Sequence, residues 1–172
     1  GRARGMPGGA GLRFPAATAI GRLDGDDDLL VYWLAARSAG TALENPRQVS
    51  AFDYPRIYGP VPPLFSRAML VAGRALLVSG TASVIGHETR HAGDVEAQLR
   101  ETLANLASVR EAAGTPGAER CTLKVYLREP RDAAQVEAIL RRSLPAACDF
   151  ILLHGDICRR DLLVEIDGNF AA

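Results

Sequence analysis

Residues 121–127, CTLKVYL, alternate strictly, with Cys121, Leu123, Val125 and Leu127 on one face and Thr122, Lys124 and Tyr126 on the other. A period of two over a full strand length requires a sheet with one face turned to a core. A helical pattern stands on each side of it. Upstream, Asp94 is placed to cap a helix whose apolar positions Val95, Leu99, Leu103, Leu106 and Val109 recur at helical spacing up to Gly114. Downstream, Asp132 with Gln135 three residues later opens a second helix carrying Val136, Ile139 and Leu140, which Pro145 closes. Residues 66–72 and 75–84 read as two strands joined at Gly73-Arg74, and strands over about 149–154 and 161–167 end the chain. The order ββαβαββ predicts an α+β two-layer sandwich with both helices on one face of the sheet.

The first 64 residues read differently. A Gly- and Arg-rich stretch reaches Gly11, an acidic turn spans Asp24 to Asp28, and one apolar run follows from Leu29 to Ala36. Pro46, Pro55, Pro60, Pro62 and Pro63 then forbid a helix and favour an ordered, extended loop. The expected division is an extended N-terminal or linker region over 1–64, the remnant of an upstream domain, and a catalytic domain over 65–172. At 172 residues and 48% apolar composition the chain has material for one core. It begins with Gly1, which suggests a cleaved, trimmed or mid-chain start.

Twenty basic and twenty acidic residues cancel, and no basic stripe appears, so neither nucleic acid nor an anionic membrane is an expected partner. Apolar runs fall far short of the roughly 20 residues of a membrane span. Nothing reads as a secretory signal, and the expectation is a soluble, cytoplasmic protein. Cys121, Cys148 and Cys158 are odd in number and form no CxxC pair, so reduced thiols are expected.

Several side chains stand out chemically. His87-Glu88-Thr89-Arg90-His91 is a literal HExxH, but it follows a strand and ends just before a helix cap, where the two histidines would not share a helical face; a connecting loop without metal is expected. Arg67 lies in a strand with Phe65, Met69 and Val71 on its face. A guanidinium there needs a partner, either a ligand carboxylate or an internal acid. Tyr54, Arg56, Tyr58 and Arg67 fall within fourteen positions, a composition suited to a small oxygenated acid or to a plain structural loop. Gly80 marks a close approach or a β-bulge. Glu165 alternates with Leu163 and Asp167, which on pattern alone turns it to solvent. In an apolar cleft it would instead hold a proton for general-acid work. Cys158, seven residues upstream, is flanked by Arg159 and Arg160, whose charge would favour the thiolate.

The element order and the ending LLVEIDG resemble the RidA/YjgF-like enamine and imine deaminases with their chorismate mutase-like fold. Those proteins carry an arginine on the penultimate strand, and CDFILLHGD has none. The longer strings FPAATAIG, ENPRQVSAFDYPRIYGP, FSRAML, SGTASVIGHET, LKVYLR and GDICRRDLLVEID resemble the chorismatases, enlarged relatives of that fold.

The resemblance implies a cofactor-independent enzyme in which Glu165 protonates the methylene carbon of the enolpyruvyl ether of chorismate and pyruvate is released. It also implies that Arg67 and Tyr58, with Tyr54, Gly80 and Thr81, contact substrate. Cys158 and Gly80 match the type that aromatises the ring to 3-hydroxybenzoate. The alternatives are hydrolysis to a dihydroxycyclohexadiene carboxylate, imine deamination, or a non-catalytic module that binds small acids. Chorismatases have a further upstream domain, so one expectation is that an upstream half or a partner chain completes the cleft.

Overall fold

The computed structural model describes residues 14–23, 29–117 and 119–171. The Gly- and Arg-rich start and the acidic turn Asp24 to Asp28 lie outside the described residues.

Eight strands and two helices follow in order: β1 Thr41–Leu43, β2 Ala68–Val71, β3 Ala75–Ala82, β4 Val84–Ile85, β5 Glu88–Thr89, α1 Val95–Ala112, β6 Cys121–Leu127, α2 Ala133–Ser143, β7 Cys148–His154 and β8 Val164–Ala171. Six of the strands form one sheet in the order β1-β2-β3-β8-β6-β7, and β4 and β5 make a separate small hairpin. All neighbours in the large sheet are antiparallel except β6 and β7, which run parallel because α2 connects them. Within this frame the ββαβαββ order and the two-layer α+β sandwich hold.

The alternation in CTLKVYL does what its period requires. Cys121, Leu123, Val125 and Leu127 enter the core with Val164 and Ile166 from β8, and with Leu99, Leu106 and Val109 from α1 and Val136, Ile139 and Leu140 from α2. Asp94 caps α1, its carboxylate accepting from the Ala97 N–H at 2.9 Å. The second helix starts otherwise. Asp132 lies inside a 3-10 turn, Pro130–Asp132, with helical φ and ψ and no capping bond, and Gln135 donates across to Glu96 of α1 at 3.1 Å. The hairpin between β2 and β3 turns at Ala72 and Gly73, both at positive φ (51° and 62°), closed by Arg74 N–H donating to Val71 O at 3.0 Å. Two positive φ angles are the type I′ geometry that matches strand twist.

Three polar side chains of α1, Gln98, Thr102 and Asn105, are buried among the apolar ones. Each is satisfied. Asn105 Nδ2 donates to Ala82 O and Val84 O, at 3.0 and 2.9 Å, where β3 ends and its ladder is interrupted. Asn45 and Arg47 reach Asn105 from upstream, at 3.1 and 2.9 Å, so the segment after β1 is tied to the helix layer.

Two differences from the sequence expectation concern the C-terminal region. The last strand begins at Val164 rather than 161 and runs on to Ala171. Cys121 and Cys148, expected as reduced thiols, are the first residues of the parallel strands β6 and β7, directly opposite in register, and are joined as a disulfide with Cα atoms 4.4 Å apart. Among the described residues no helix is long and apolar enough to cross a membrane.

Candidate active site

Because Val164 and Ile166 face the helices, Glu165 and Asp167 leave β8 on the opposite side of the sheet. Across the β6–β8 ladder Glu165 stands opposite Tyr126, and Asp167 opposite Lys124. A sheet face without helices is ordinarily wet. Here residues 14–21, containing the string FPAATAIG, run over it. Ser66 N–H donates to Pro15 O at 2.9 Å, Ala17 N–H to Ser79 Oγ at 3.0 Å, and Gly80 N–H to Ala17 O at 3.2 Å. Gly21 and Asp156 exchange both backbone bonds, at 2.8 and 2.9 Å.

Under this strap Glu165 is only 5% exposed. Among the described residues no donor hydrogen-bonds its carboxyl. Loss of water disfavours the charged form and the neighbouring Asp167 adds like charge, so its pKa is pushed up to about 7. The alternation alone would have turned this side chain to solvent; the strap buries it. Gly80 sits where the β3–β8 register shifts, and a Cβ there would overlap Glu165 Oε1 and come within 3.1 Å of Thr18 Cγ2. Both the bulge and the close approach are therefore present at this glycine. Its neighbour Thr81 is buried, its hydroxyl donating to Ser79 O at 2.8 Å.

A second cluster is built from cations and aromatic rings. Arg67, just before β2, is 6% exposed and donates from Nη2 to Val49 O and to the Tyr54 hydroxyl, both at 2.8 Å. Among the described residues its Nε has no acceptor. The Glu44 carboxyl lies near it, accepts no well-formed hydrogen bond, and is raised in pKa by burial in spite of Ser50 and the Arg67 charge. Arg159 stacks on Tyr58 at 4.1 Å and lies 5.3 Å from the Tyr54 ring centre, with Nη1 donating to His87 O at 2.8 Å. The Tyr58 hydroxyl donates to the same carbonyl at 2.7 Å. Arg56 is exposed and takes no part.

The loop between β7 and β8 connects the two clusters. Arg128 holds it, donating from Nε to Leu162 O at 2.8 Å and from Nη2 to Ile157 O and Arg159 O at 2.6 and 3.0 Å, and pairing with Asp156. Gln98 adds a bond in each direction, to Asp161 O at 2.7 Å and from Leu163 N–H at 2.8 Å. These bonds hold residues 157–163 as a loop and explain the later start of β8. On this loop the Cys158 thiol is exposed at its outer side yet crowded within. Crowding by the protein and the Glu165 charge raise its pKa, outweighing Arg159, so the expected thiolate character does not hold.

The HExxH motif forms no helical face. His87 lies in the β4–β5 turn region, Glu88 in β5, and His91 at a positive φ of 58°. Among the described residues no group of three or more His, Cys, Asp or Glu side chains is placed to hold a metal ion. The structure thus brings Glu165 together with Cys158 and Gly80, and Arg67 with Tyr54 and Tyr58. Sequence reading passed over Arg159, Lys124, Tyr126 and Asp167 as site residues. The polar face of CTLKVYL was the available signal for Lys124 and Tyr126.

A six-stranded sheet with two helices packed on one face defines a domain of the RidA/YjgF fold. The Rid-family protein YyfA from Yersinia pestis superposes with a TM-score of 0.62 at 19% identity, over 78% of this chain and 100% of that one. A chorismatase crystal structure superposes with a TM-score of 0.71 at 37% identity, covering 78% of this chain and 44% of that one. In sequence, 3-hydroxybenzoate synthase from Streptomyces hygroscopicus is 43% identical over 91% of this chain and 50% of its own length. Over about nine tenths of its length the chain is similar to proteins named 3-hydroxybenzoate synthase and chorismatase. It spans about half the length of the curated relatives it matches, and no family model matches it.

Proposed function

We propose that this protein cleaves the enolpyruvyl ether of chorismate, releasing pyruvate and 3-hydroxybenzoate, with Glu165 as the general acid. The single observation that carries the reading is the Glu165 carboxyl, buried, without a hydrogen-bond donor, and holding its proton up to about pH 7. Protonating a vinyl ether at its methylene carbon is slow because the proton goes to carbon and a cation develops at the ether carbon. A neutral acid in a site shielded from water supplies that proton, and its carboxylate then faces the positive centre. The ring hydroxyl beside the ether attacks the ether-bearing ring carbon and gives up its proton as that carbon–oxygen bond breaks and pyruvate leaves. The resulting epoxide opens at the hydroxyl's original carbon, takes up a proton on oxygen and loses the hydrogen of the carbon that keeps the oxygen, which gives the 3-hydroxy isomer with no net gain or loss of atoms.

Chorismate carries two carboxylates, and two guanidinium groups border the tyrosine cluster. Arg67, with its Nε unmatched, and Arg159 are the groups we assign to them, with Tyr54 and Tyr58 against the ring. Gly80 keeps the space beside the acid open, Thr81 holds that part of β3, and Cys158 borders the ring. The name of the 43% identical relative supports the aromatic product. As part of the same reading, the protein works in the cytoplasm on a freely diffusing acid, and an upstream half or a partner chain completes the cleft.

Incubation with chorismate, with pyruvate followed by a coupled dehydrogenase and the ring product by chromatography, tests this. Pyruvate and 3-hydroxybenzoate are expected in equal amounts, and Glu165→Gln is expected to lose activity by about 10³-fold or more with its fold intact. Undiminished turnover in that variant removes Glu165 from the mechanism. A dihydroxylated ring product overturns the assignment of 3-hydroxybenzoate.

A further inference from the structure

The Glu165 carboxyl shares its sheet face with a full ammonium group, and the two do not pair. Lys124 lies on β6, one same-face position from Tyr126, the residue opposite Glu165. Its Nζ instead sits 3.0 Å from Asp167 Oδ1 and donates to the Tyr32 hydroxyl at 2.6 Å. The second Asp167 oxygen accepts from the Tyr126 hydroxyl at 3.2 Å. Asp167 is 4% exposed, nearly as buried as Glu165. The Lys124 charge and the Tyr126 hydroxyl are thus both directed to one carboxylate, by an ion pair and a hydrogen bond, while among the described residues the other has no donor.

The geometry points to Asp167 as a positioning residue that holds the Lys124 ammonium and the Tyr126 hydroxyl away from Glu165, leaving the acid without a counter-ion. This inference rests on the proposed role of Glu165. Its physical basis is local competition: a half-buried cation on the strand beside two carboxylates stabilises the charged form of whichever it pairs with. The titratable groups facing Glu165 are Asp167 from β8, Tyr126 and Lys124 from β6, and Cys158 from the loop between β7 and β8; β3, through Gly80 and Ala82, and the strap 14–21 contribute none. Lys124 is held firmly cationic by Asp167 and the two tyrosine hydroxyls. Tyr126 is pushed up by burial and remains a phenol. The cation is therefore present at every pH at which Glu165 changes state, and its placement decides the outcome.

The test is the pH profile of pyruvate release for three variants beside the wild type, whose alkaline limb is expected near the Glu165 transition. In Asp167→Asn the like charge is lost and the released ammonium turns to Glu165, so the limb moves acid by roughly one unit or more, about a tenfold loss of kcat above it, and only the part owed to the ammonium is reversed when Lys124 is also removed. In Lys124→Met the carboxyl pair loses its cation, and the upper step of the pair moves alkaline. Combining Asp167→Asn with Lys124→Met returns the limb towards the wild-type position. Opposite shifts with mutual rescue are not what a merely structural role would give. If Asp167→Asn does not fold, Lys124→Met carries the test alone, and an unmoved or acid-shifted limb overturns the inference. An unmoved limb in Asp167→Asn also overturns it, while an inactive Glu165→Gln leaves the general-acid reading standing. An active Glu165→Gln overturns both. The carboxyl band of Glu165 in infrared spectra, assigned from the difference between wild type and Glu165→Gln, reads the same shifts without turnover.

Discussion

Tyr126 stands directly opposite Glu165 across the β6–β8 ladder, yet its hydroxyl donates past it to Asp167 at 3.2 Å. The phenol opposite the acid in register therefore gives it no hydrogen bond, and the charge that Glu165 would carry meets burial and the Asp167 carboxylate instead. Several measurable consequences come from that arrangement.

The first is a cost in stability with a definite sign. The Glu165 transition lies near 4.5 when solvated and about 7 in the fold, so the native state binds the proton more tightly than the unfolded chain. Stability from this group is fully present below about pH 4.5, declines between there and pH 7, and stays reduced above. Glu165→Gln removes the cost and is expected to be more stable than wild type at pH 8 by on the order of 3 kcal/mol, with little difference at pH 4. Denaturant unfolding of both proteins at the two pH values checks this, and an equal gap at both would refute the buried, unpaired carboxyl.

Gly80→Ala is the second. Its backbone lies outside the positive-φ region, so the substitution acts only through its Cβ, which meets Glu165 Oε1 and lies 3.0 Å from Glu165 Cδ. The carboxyl must turn aside. A loss of at least about tenfold in kcat and of about 1–3 kcal/mol in stability is expected. Wild-type kcat and melting temperature together would show that the carboxyl has room to spare.

The third concerns Cys158, whose transition is raised above 9.0 by crowding and by the Glu165 charge. The pH midpoint of its alkylation should lie above that of an ordinary thiol and fall in Glu165→Gln, where the negative neighbour is gone. A midpoint insensitive to Glu165 would separate the two side chains.

Arg128 supplies the fourth. Its fork serves three carbonyls of the loop, those of Ile157, Arg159 and Leu162. A lysine has one compact donor group and cannot span them. Arg128→Lys is expected to cost about 2–4 kcal/mol and to speed hydrogen exchange over residues 157–163 more than in α1 or α2. Uniform exchange would mean that the loop does not depend on the guanidinium.

Much of the frame was legible because it rests on local periodicity. CTLKVYL fixed a strand with one buried face, and Asp94 marked a helix start that forms with its capping bond. Where legibility failed, a distant group had won the local one. Asp132 and Gln135 have the spacing of a capping box, but Pro130 sets a 3-10 turn and Glu96 on α1 takes the Gln135 amide. The strand expected from 161 starts at Val164 because Arg128 and Gln98 claim the preceding backbone. The apolar run from Leu29 forms no regular element, and Leu29, Trp33 and Leu34 are exposed, while the Tyr32 hydroxyl accepts from Lys124 Nζ at 2.6 Å.

The sequence by itself determined the order of the two helices and of β2, β3, β6, β7 and β8, and the face on which CTLKVYL turns its side chains, since both depend on residues a few positions apart; β1, β4 and β5 are too short to leave such a pattern. It also singled out Glu165, Arg67 and the tyrosines as unusual in their settings. Only the tertiary structure decided that Glu165 is dry, that Arg159 completes the tyrosine cluster, and that Lys124 belongs to Asp167. Those outcomes depend on segments far apart in the chain crossing one sheet face, where proximity sets both hydration and charge pairing.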